Sequence, residues 1–415
     1  MTAPADVQAP GLRSGRRALA RLVAGDLDEF ADRVWGRSAM LSRANDLAGG
    51  FCDLFSAGAV DELIAERGLR TPFLRVAKDG TTLGDSAFTA GGGVGAGIAD
   101  QLSDDKLARL FADGSTLVLQ ALHRTWAPLM YFAQELAGDL AHPVQVNAYV
   151  TPPQSRGFDD HYDVHDVFVM QVAGEKQWRI HAPVLPAPLR DQPWTDRRDA
   201  VAKAAGTEPL IDTVLTPGDC LYLPRGYLHA ATALGGVSTH ITIGVHTWTR
   251  HTLAEQLVAE ALSVVALDPE SRTSLGLGTR VEDPEATRAD LELVRERLVS
   301  ALAQADPAAI ADRMAMRVRA AGRAAPLGPL AQLRATSSLT EHDAVRLRHH
   351  LAPTLRVATD GSATLRTRAG DIGLTAGQLD ATRALLAGDT LEVCAIGADL
   401  ARRLLSAGIV VLGDP

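Results

Sequence analysis

The chain is poor in the features that anchor or staple a protein. Three cysteines, Cys52, Cys220 and Cys394, stand in 415 residues. They are too few and too scattered for a disulfide framework or a zinc knuckle, and point to a reducing cytoplasm. No run approaches the ~20 apolar residues of a membrane span. Arg16-Arg17 leads into no apolar signal core, because Arg21 and Asp26 interrupt it. A cytoplasmic protein with no membrane partner is therefore expected. Positive charge is also short. A net charge of −9 argues against a nonspecific grip on phosphates, but suits a partner as basic as a ribosomal protein. What the chain does have is length and a 46% hydrophobic content, enough for two or three packed units.

Its organisation reads as a short tail and three regions. Residues 1–17 are rich in Ala, Pro, Gly and Arg and are expected to be disordered. Residues 18–250 form the principal region, opening on a helix from Asp26 to Trp35. Within it, Gly91 to Gly97 brushes against a dinucleotide fingerprint, but no clear strand leads directly into it, so a flexible loop near an active-site entrance is expected. In 251–325, Leu253, Leu257, Ala261 and Val264 recur at helical spacing, as do Leu291, Val294, Leu298 and Leu302. Asp306-Pro307 reads as an N-cap followed by a proline at the first helical position. In 326–415, Leu355–Val357 and Ala363–Arg366 form a hairpin pattern around Asp360-Gly361. Two helical stretches and a final strand at Ile409–Val411 follow. This last region carries nine Arg, no Lys and nine acidic residues, a zero balance unlike that of a phosphate-gripping domain. Direct DNA binding is not expected.

Two fragments carry chemistry. His161-Tyr-Asp163 places an imidazole and a carboxylate two residues apart, which on a strand points both to one side. Gly218-Asp-Cys-Leu-Tyr-Leu-Pro224-Arg-Gly226-Tyr-Leu-His229 reads as turn, strand, turn and the start of another strand. Together they supply two imidazoles and one carboxylate, the set that holds a non-haem Fe(II) on one face and leaves the other open. The second fragment also fits the second cupin motif up to its final Asn, where this chain has Ala233. His229 follows His161 by 68 positions, room for the intervening strands of a double-stranded β-helix.

The sequence from His161 to Ile180 resembles the JmjC-type, cupin-like ribosomal oxygenases, which hydroxylate ribosomal proteins with Fe(II) and 2-oxoglutarate. Their pattern runs on from His-x-Asp through an acid, Val-Phe, Gln and Gly to a basic residue and Trp. Here these are Asp166, Val167-Phe168, Gln171, Gly174, Lys176 and Trp178. Asn147-Ala-Tyr149 and Ser238-Thr-His240-Ile-Thr242 resemble the family's segments before and after. The likeness is good over residues 25–250 and holds only in outline elsewhere.

The resemblance implies a mixed α+β protein: a double-stranded β-helix barrel, a helical dimerisation region and a C-terminal winged-helix-like domain. It implies Fe(II) on His161, Asp163 and His229, with 2-oxoglutarate chelating the ion and O2 as the oxidant. The family carries a cation fifteen residues after the first His, and Lys176 falls there, suited to hold the cosubstrate's distal carboxylate. The residues from Val167 to His181 read as a hairpin turning at Gly174, with Lys176 between apolar strands. Asn147, Tyr149 and Thr242 are candidates for positioning the cosubstrate, and Tyr149, His165, Ser238 and His240 for the substrate. His165 is placed on the strand face of His161 and Asp163. The implied reaction is β-carbon hydroxylation of a histidine or arginine in a ribosomal protein, by a homodimer. Other peptides, a methyl-lysine or a small molecule remain alternatives, as does a non-catalytic metal-binding cupin scaffold.

Overall fold

A computed structural model of the chain describes residues 16–156, 158–358, 360–368 and 370–413. The expected disordered tail therefore falls, over residues 1–15, outside the described residues, and a helical turn already begins at Arg17. The chain separates into two compact units with the division between Thr247 and Trp248.

The first unit is built on a nine-stranded sheet. Its strands are β1 (Met40–Ser42), β2 (Leu74–Lys78), β3 (Thr81–Thr82), β4 (Thr116–Leu119), β5 (Val144–Thr151), β6 (Asp166–His181), β7 (Ile211–Leu215), β8 (Cys220–Leu223) and β9 (Leu228–Val245). They are ordered β1-β8-β6-β9-β5-β4-β2-β3, with β7 also on β6, and the pairs along this path are antiparallel. The long strands β6 and β9 form the spine. One edge of β6 meets β8 over Val167–Met170 and then β7 over Lys176–Ile180, while β9 follows its other edge.

Alternation in β5 explains how the sheet serves two environments. Val146, Ala148 and Val150 join the main apolar core with Leu129, Phe132 and Leu136 of helix α1 (Ala127–Leu140). The intervening Asn147, Tyr149 and Thr151 share the opposite face. Near the entry, where a helix from Asp26 to Trp35 was expected, Asp26 caps a helix that starts at Leu27, accepting from the Asp28 and Glu29 amides. That helix continues as a π-helical turn over Phe30–Val34.

The expected hairpin at Gly174 is absent. β6 is one strand of 16 residues, and Gly174 instead sits in an irregularity where the β6–β9 register shifts. Its φ is 64°, and a Cβ there would lie 2.2 Å from the Val237 carbonyl oxygen, so only glycine fits. The bulge reverses the strand's parity. Val167 and Val169 line the inner cavity before it, with Phe168 and Met170 in the main core, whereas Lys176 and Trp178 line the cavity after it.

In the second unit, helices α2 (Arg250–Val265), α3 (Arg288–Gln304) and α4 (Pro307–Ala321) follow the expected periodicity. Asp306 caps α4, accepting from the Ala308 amide, with Pro307 at the first helical position. Beyond them, Thr354–Val357 pairs with Ala363–Thr367, and the latter with Gly370–Leu374. Ala344–Leu347 lies between Thr390–Glu392 and Val410–Leu412 in a second small sheet. Helices Leu379–Ala387 and Ala398–Ser406 complete a core that includes Leu365, Leu385, Leu400 and Leu404.

Candidate metal centre and cosubstrate cavity

Two imidazoles and a carboxylate converge in the first unit. One ligand atom from each of His161, Asp163 and His229 lies within 4.8 Å of the others, and His229 Nε2 is 3.7 Å from Asp163 Oδ2. The local structure differs from the expected strand. His161 makes an isolated antiparallel bridge to His229, while Asp163 lies outside any strand. The bridge exchanges two backbone bonds, His229 N to His161 O at 2.9 Å and His161 N to His229 O at 3.3 Å. It brings the two fragments together without help from strand periodicity.

The rings are aimed by their other nitrogens. His161 Nδ1 is 2.7 Å from the Asp159 carbonyl and His229 Nδ1 is 3.1 Å from the Tyr227 carbonyl. A carbonyl can only accept, so each Nδ1 carries the proton and each Nε2 keeps a lone pair for an ion. Burial and then the neighbouring His161 push His229 down to about 4, so its imidazole is neutral and ready to ligate near pH 7. At Asp163 burial works to raise the carboxyl, but His165, His229 and His161 together hold it below the usual carboxylate range. The donor set thus fits a divalent ion of the Fe(II) type with an open face.

The same cavity is lined by Lys176, Tyr149, His240, Thr242 and Trp178. Lys176 is 4% exposed. Its Nζ donates to Thr151 Oγ1 at 3.1 Å and lies 3.4 Å from His240 Nδ1. Thr116 Oγ1 donates to Thr151 in turn at 3.2 Å. Burial alone pushes the Lys176 ammonium down to about 7. Burial and then Lys176 keep His240 well below the usual imidazole value, so it is neutral and accepts. His240 stacks on Tyr149 with ring centres 4.8 Å apart and meets the Trp178 ring edge-on at 5.3 Å. Burial raises the Tyr149 phenol to about 12. A cation walled by aromatic rings and served by neutral acceptors fits a carboxylate ligand.

Other expected residues lie elsewhere. Asn147 is absent from the cavity lining and accepts from the Ala121 amide at 3.1 Å, steadying a residue at φ 55°. Ser238 is fully buried and accepts from Gln171 Nε2 at 2.9 Å, beside the β6 bulge rather than on the cavity wall. His165 does not share a strand face with the ligands. It packs beside them, 3.2 Å from Gln145 Nε2 and with its ring 5.4 Å from His246. Thr151 and Thr116 escaped the sequence reading, although the alternation Asn147-Tyr149-Thr151 could have pointed to the first.

The fold and donor set define a cupin-class barrel with a JmjC-type centre. Residues 128–253 match the family profile of the JmjC domain. Ribosomal oxygenase 1 of Bos taurus is 31% identical over 258 residues, covering 59% of this chain and 36% of that protein. The bifunctional lysine-specific demethylase and histidyl-hydroxylase NO66 of Drosophila persimilis is 30% identical over 238 residues, covering 56% and 32%. Among solved structures, the Escherichia coli ribosomal oxygenase YcfD in complex with cobalt and 2-oxoglutarate superposes with a TM-score of 0.54 at 15% identity, covering 95% of this chain and 99% of that one. The part of the chain that holds the three donors is therefore similar to a JmjC domain and to ribosomal oxygenases. The chain spans about a third of the length of these two curated relatives.

Proposed function

We propose that the protein is an Fe(II)- and 2-oxoglutarate-dependent oxygenase that hydroxylates a histidine or arginine side chain of a ribosomal protein. The observation that carries this reading is the pairing, in one cavity, of an open three-donor face with a buried cation that forms no ion pair among the described residues. His161, Asp163 and His229 would hold the iron, and Lys176 with Thr151 the distal carboxylate of the cosubstrate. When bound, Fe(II), 2-oxoglutarate and O2 supply the oxidising power that turns a C–H bond into C–OH, with succinate and carbon dioxide as coproducts. The chain's own part is orientation and exclusion of water. Tyr149, His240 and Trp178 would wall the cosubstrate, Thr242 lines the same cavity, and His165, outside that lining, would meet the substrate.

The finer assignments belong to the same proposal. Residues 18–250 form the catalytic region, 251–325 a homodimerisation region and 326–415 a winged-helix-like domain, in a cytoplasmic protein. No helix among the described residues is long and apolar enough to cross a membrane. Support for dimerisation comes from α2 and α3. Leu253, Leu257, Val258, Leu262 and Leu291 are exposed, and Ala261 and Ala301 are the only buried residues of these two helices. Sedimentation should show a dimer that dissociates on dilution; a monomer at every concentration would remove this part.

With Fe(II), ascorbate and 2-oxoglutarate the purified protein should form succinate, and Asp163→Ala should form none. Equal inactivity of both with every basic protein offered would favour a metal-binding scaffold. Intact masses of ribosomal proteins from cells with and without the gene should differ by one oxygen on one protein. Loss of a methyl-sized mass instead would favour demethylation.

A further inference from the structure

One fully buried charge beside the metal centre has no part in the chemistry above. Asp166 opens β6, three residues after Asp163, and is 0% exposed. Its Oδ2 accepts from the Tyr222 hydroxyl at 2.7 Å. Its Oδ1 accepts from the Arg225 amide at 3.1 Å and faces the Arg225 guanidinium at 3.5 Å. Arg225 also donates to Thr247 Oγ1 at 2.8 Å, and Tyr222 OH accepts from the Gly36 amide at 2.8 Å.

Arg225 is the centre of the turn that leads to His229. The next residue, Gly226, donates its amide to the Asp163 carbonyl at 3.0 Å. Tyr227, one further on, supplies the carbonyl that orients His229 Nδ1. The turn is also confined from behind, since a Cβ on Gly226 would lie 2.4 Å from the Leu185 carbonyl oxygen. Asp166 therefore grips, through one residue, the backbone that sets both Asp163 and His229.

We propose that Asp166 is a positioning residue of the metal centre, its carboxylate clamping the turn at Arg225 so that His229 and Asp163 stand at ligand separation before an ion arrives. The inference rests on the metal-binding reading given above. Charge matters here as well as shape. The carboxylate balances a guanidinium that is only 16% exposed, so its loss leaves a buried cation that the turn must move to hydrate.

The barrel contains its own control. Asp219 is 2% exposed and lies next to the opposite end of β8. It accepts from the Thr216 and Ala44 amides and from Arg43, but none of these partners adjoins a metal ligand. Asp219→Asn should lower stability without touching the centre.

The test is a Co(II) titration of metal-free full-length protein, read by the visible absorption of the bound ion. Asp166→Ala should bind about 10- to 100-fold more weakly, as loss of an outer-shell partner does, with an altered spectrum. Asp166→Asn should recover part of the affinity, and Tyr222→Phe, which removes one of the bonds to Asp166 along with the Gly36 bond and keeps the core, should lose a few fold. Asp219→Asn should keep wild-type affinity and spectrum while melting earlier. If Asp166→Ala does not fold, Asp166→Asn and Tyr222→Phe decide. Wild-type Co(II) binding in those variants, or equal weakening by Asp219→Asn, overturns the inference and leaves the proposed function standing. A wild-type protein that binds no Co(II) removes both.

Discussion

The two ends of the cavity are held in opposite ways. At the metal end the two imidazoles are fixed by backbone. Asp159 and Tyr227 carbonyls set the two rings, and a two-bond bridge sets the spacing of their segments. At the other end Lys176 is held by a neutral hydroxyl and a neutral imidazole, and burial is the sole cause of its lowered pKa. One end is arranged before its ligand arrives, and the other carries a charge whose counterpart must come with the ligand. An ion between converging donors needs geometry, whereas a flexible dicarboxylate needs a cation that is costly to leave alone.

That contrast can be broken most severely at Lys176. Lys176→Ala should weaken 2-oxoglutarate by about 2–4 kcal/mol, roughly 30- to 1,000-fold, while Co(II) affinity in the absence of cosubstrate stays at wild type. Isothermal titration of each ligand checks this, and a matching loss of metal affinity would mean the two ends are not separate. A second expectation concerns protons. With its pKa lowered to about 7, Lys176 is mostly neutral at pH 8 in the ligand-free protein. A bound carboxylate favours the charged form and raises the pKa, so binding at pH 8 should take up close to one proton, and at pH 6 almost none. Titrations in two buffers of different ionisation enthalpy read the number directly, and buffer-independent heats at pH 8 would contradict it. The smallest effect is expected at Thr151→Val. It removes one hydroxyl from Lys176 and should raise the cosubstrate KM about 5-fold, near 1 kcal/mol, leaving kcat close to wild type.

The same contrast separates what was legible in the sequence from what was not. The convergence of His161, Asp163 and His229 could be read because their spacing and the turn residues around them are local signals. Lys176, which lines the same cavity, could be singled out because the family that the sequence resembles carries a cation fifteen residues after the first His. The support for both was hidden. His161 and Asp163 were expected to share a strand, but their convergence comes from a bridge to a segment 68 positions away. Asn147 and Ser238 have the polarity of pocket residues, yet their hydrogen bonds go to Ala121 and Gln171. A polar side chain on an inner strand face looks the same in sequence whether it meets a ligand or its own backbone. Thr151 was passed over for the converse reason, since a threonine in a strand needs no special role. In the second unit, the helix at Pro307 and the hairpin at Asp360-Gly361 were visible because proline, capping aspartate and turn glycine act within a few residues.

Gly174 shows how little sequence can separate two opposite electrostatic outcomes. Val167 and Val169 face the cavity, and an uninterrupted strand would continue that parity to Glu175, turning Lys176 outward. The bulge makes Lys176 the inward residue and leaves Glu175 exposed. The polarity of the chamber, attractive or repellent to a dicarboxylate, is thus written in the backbone conformation of one achiral residue rather than in the choice of charged side chains, both of which stand side by side in the chain.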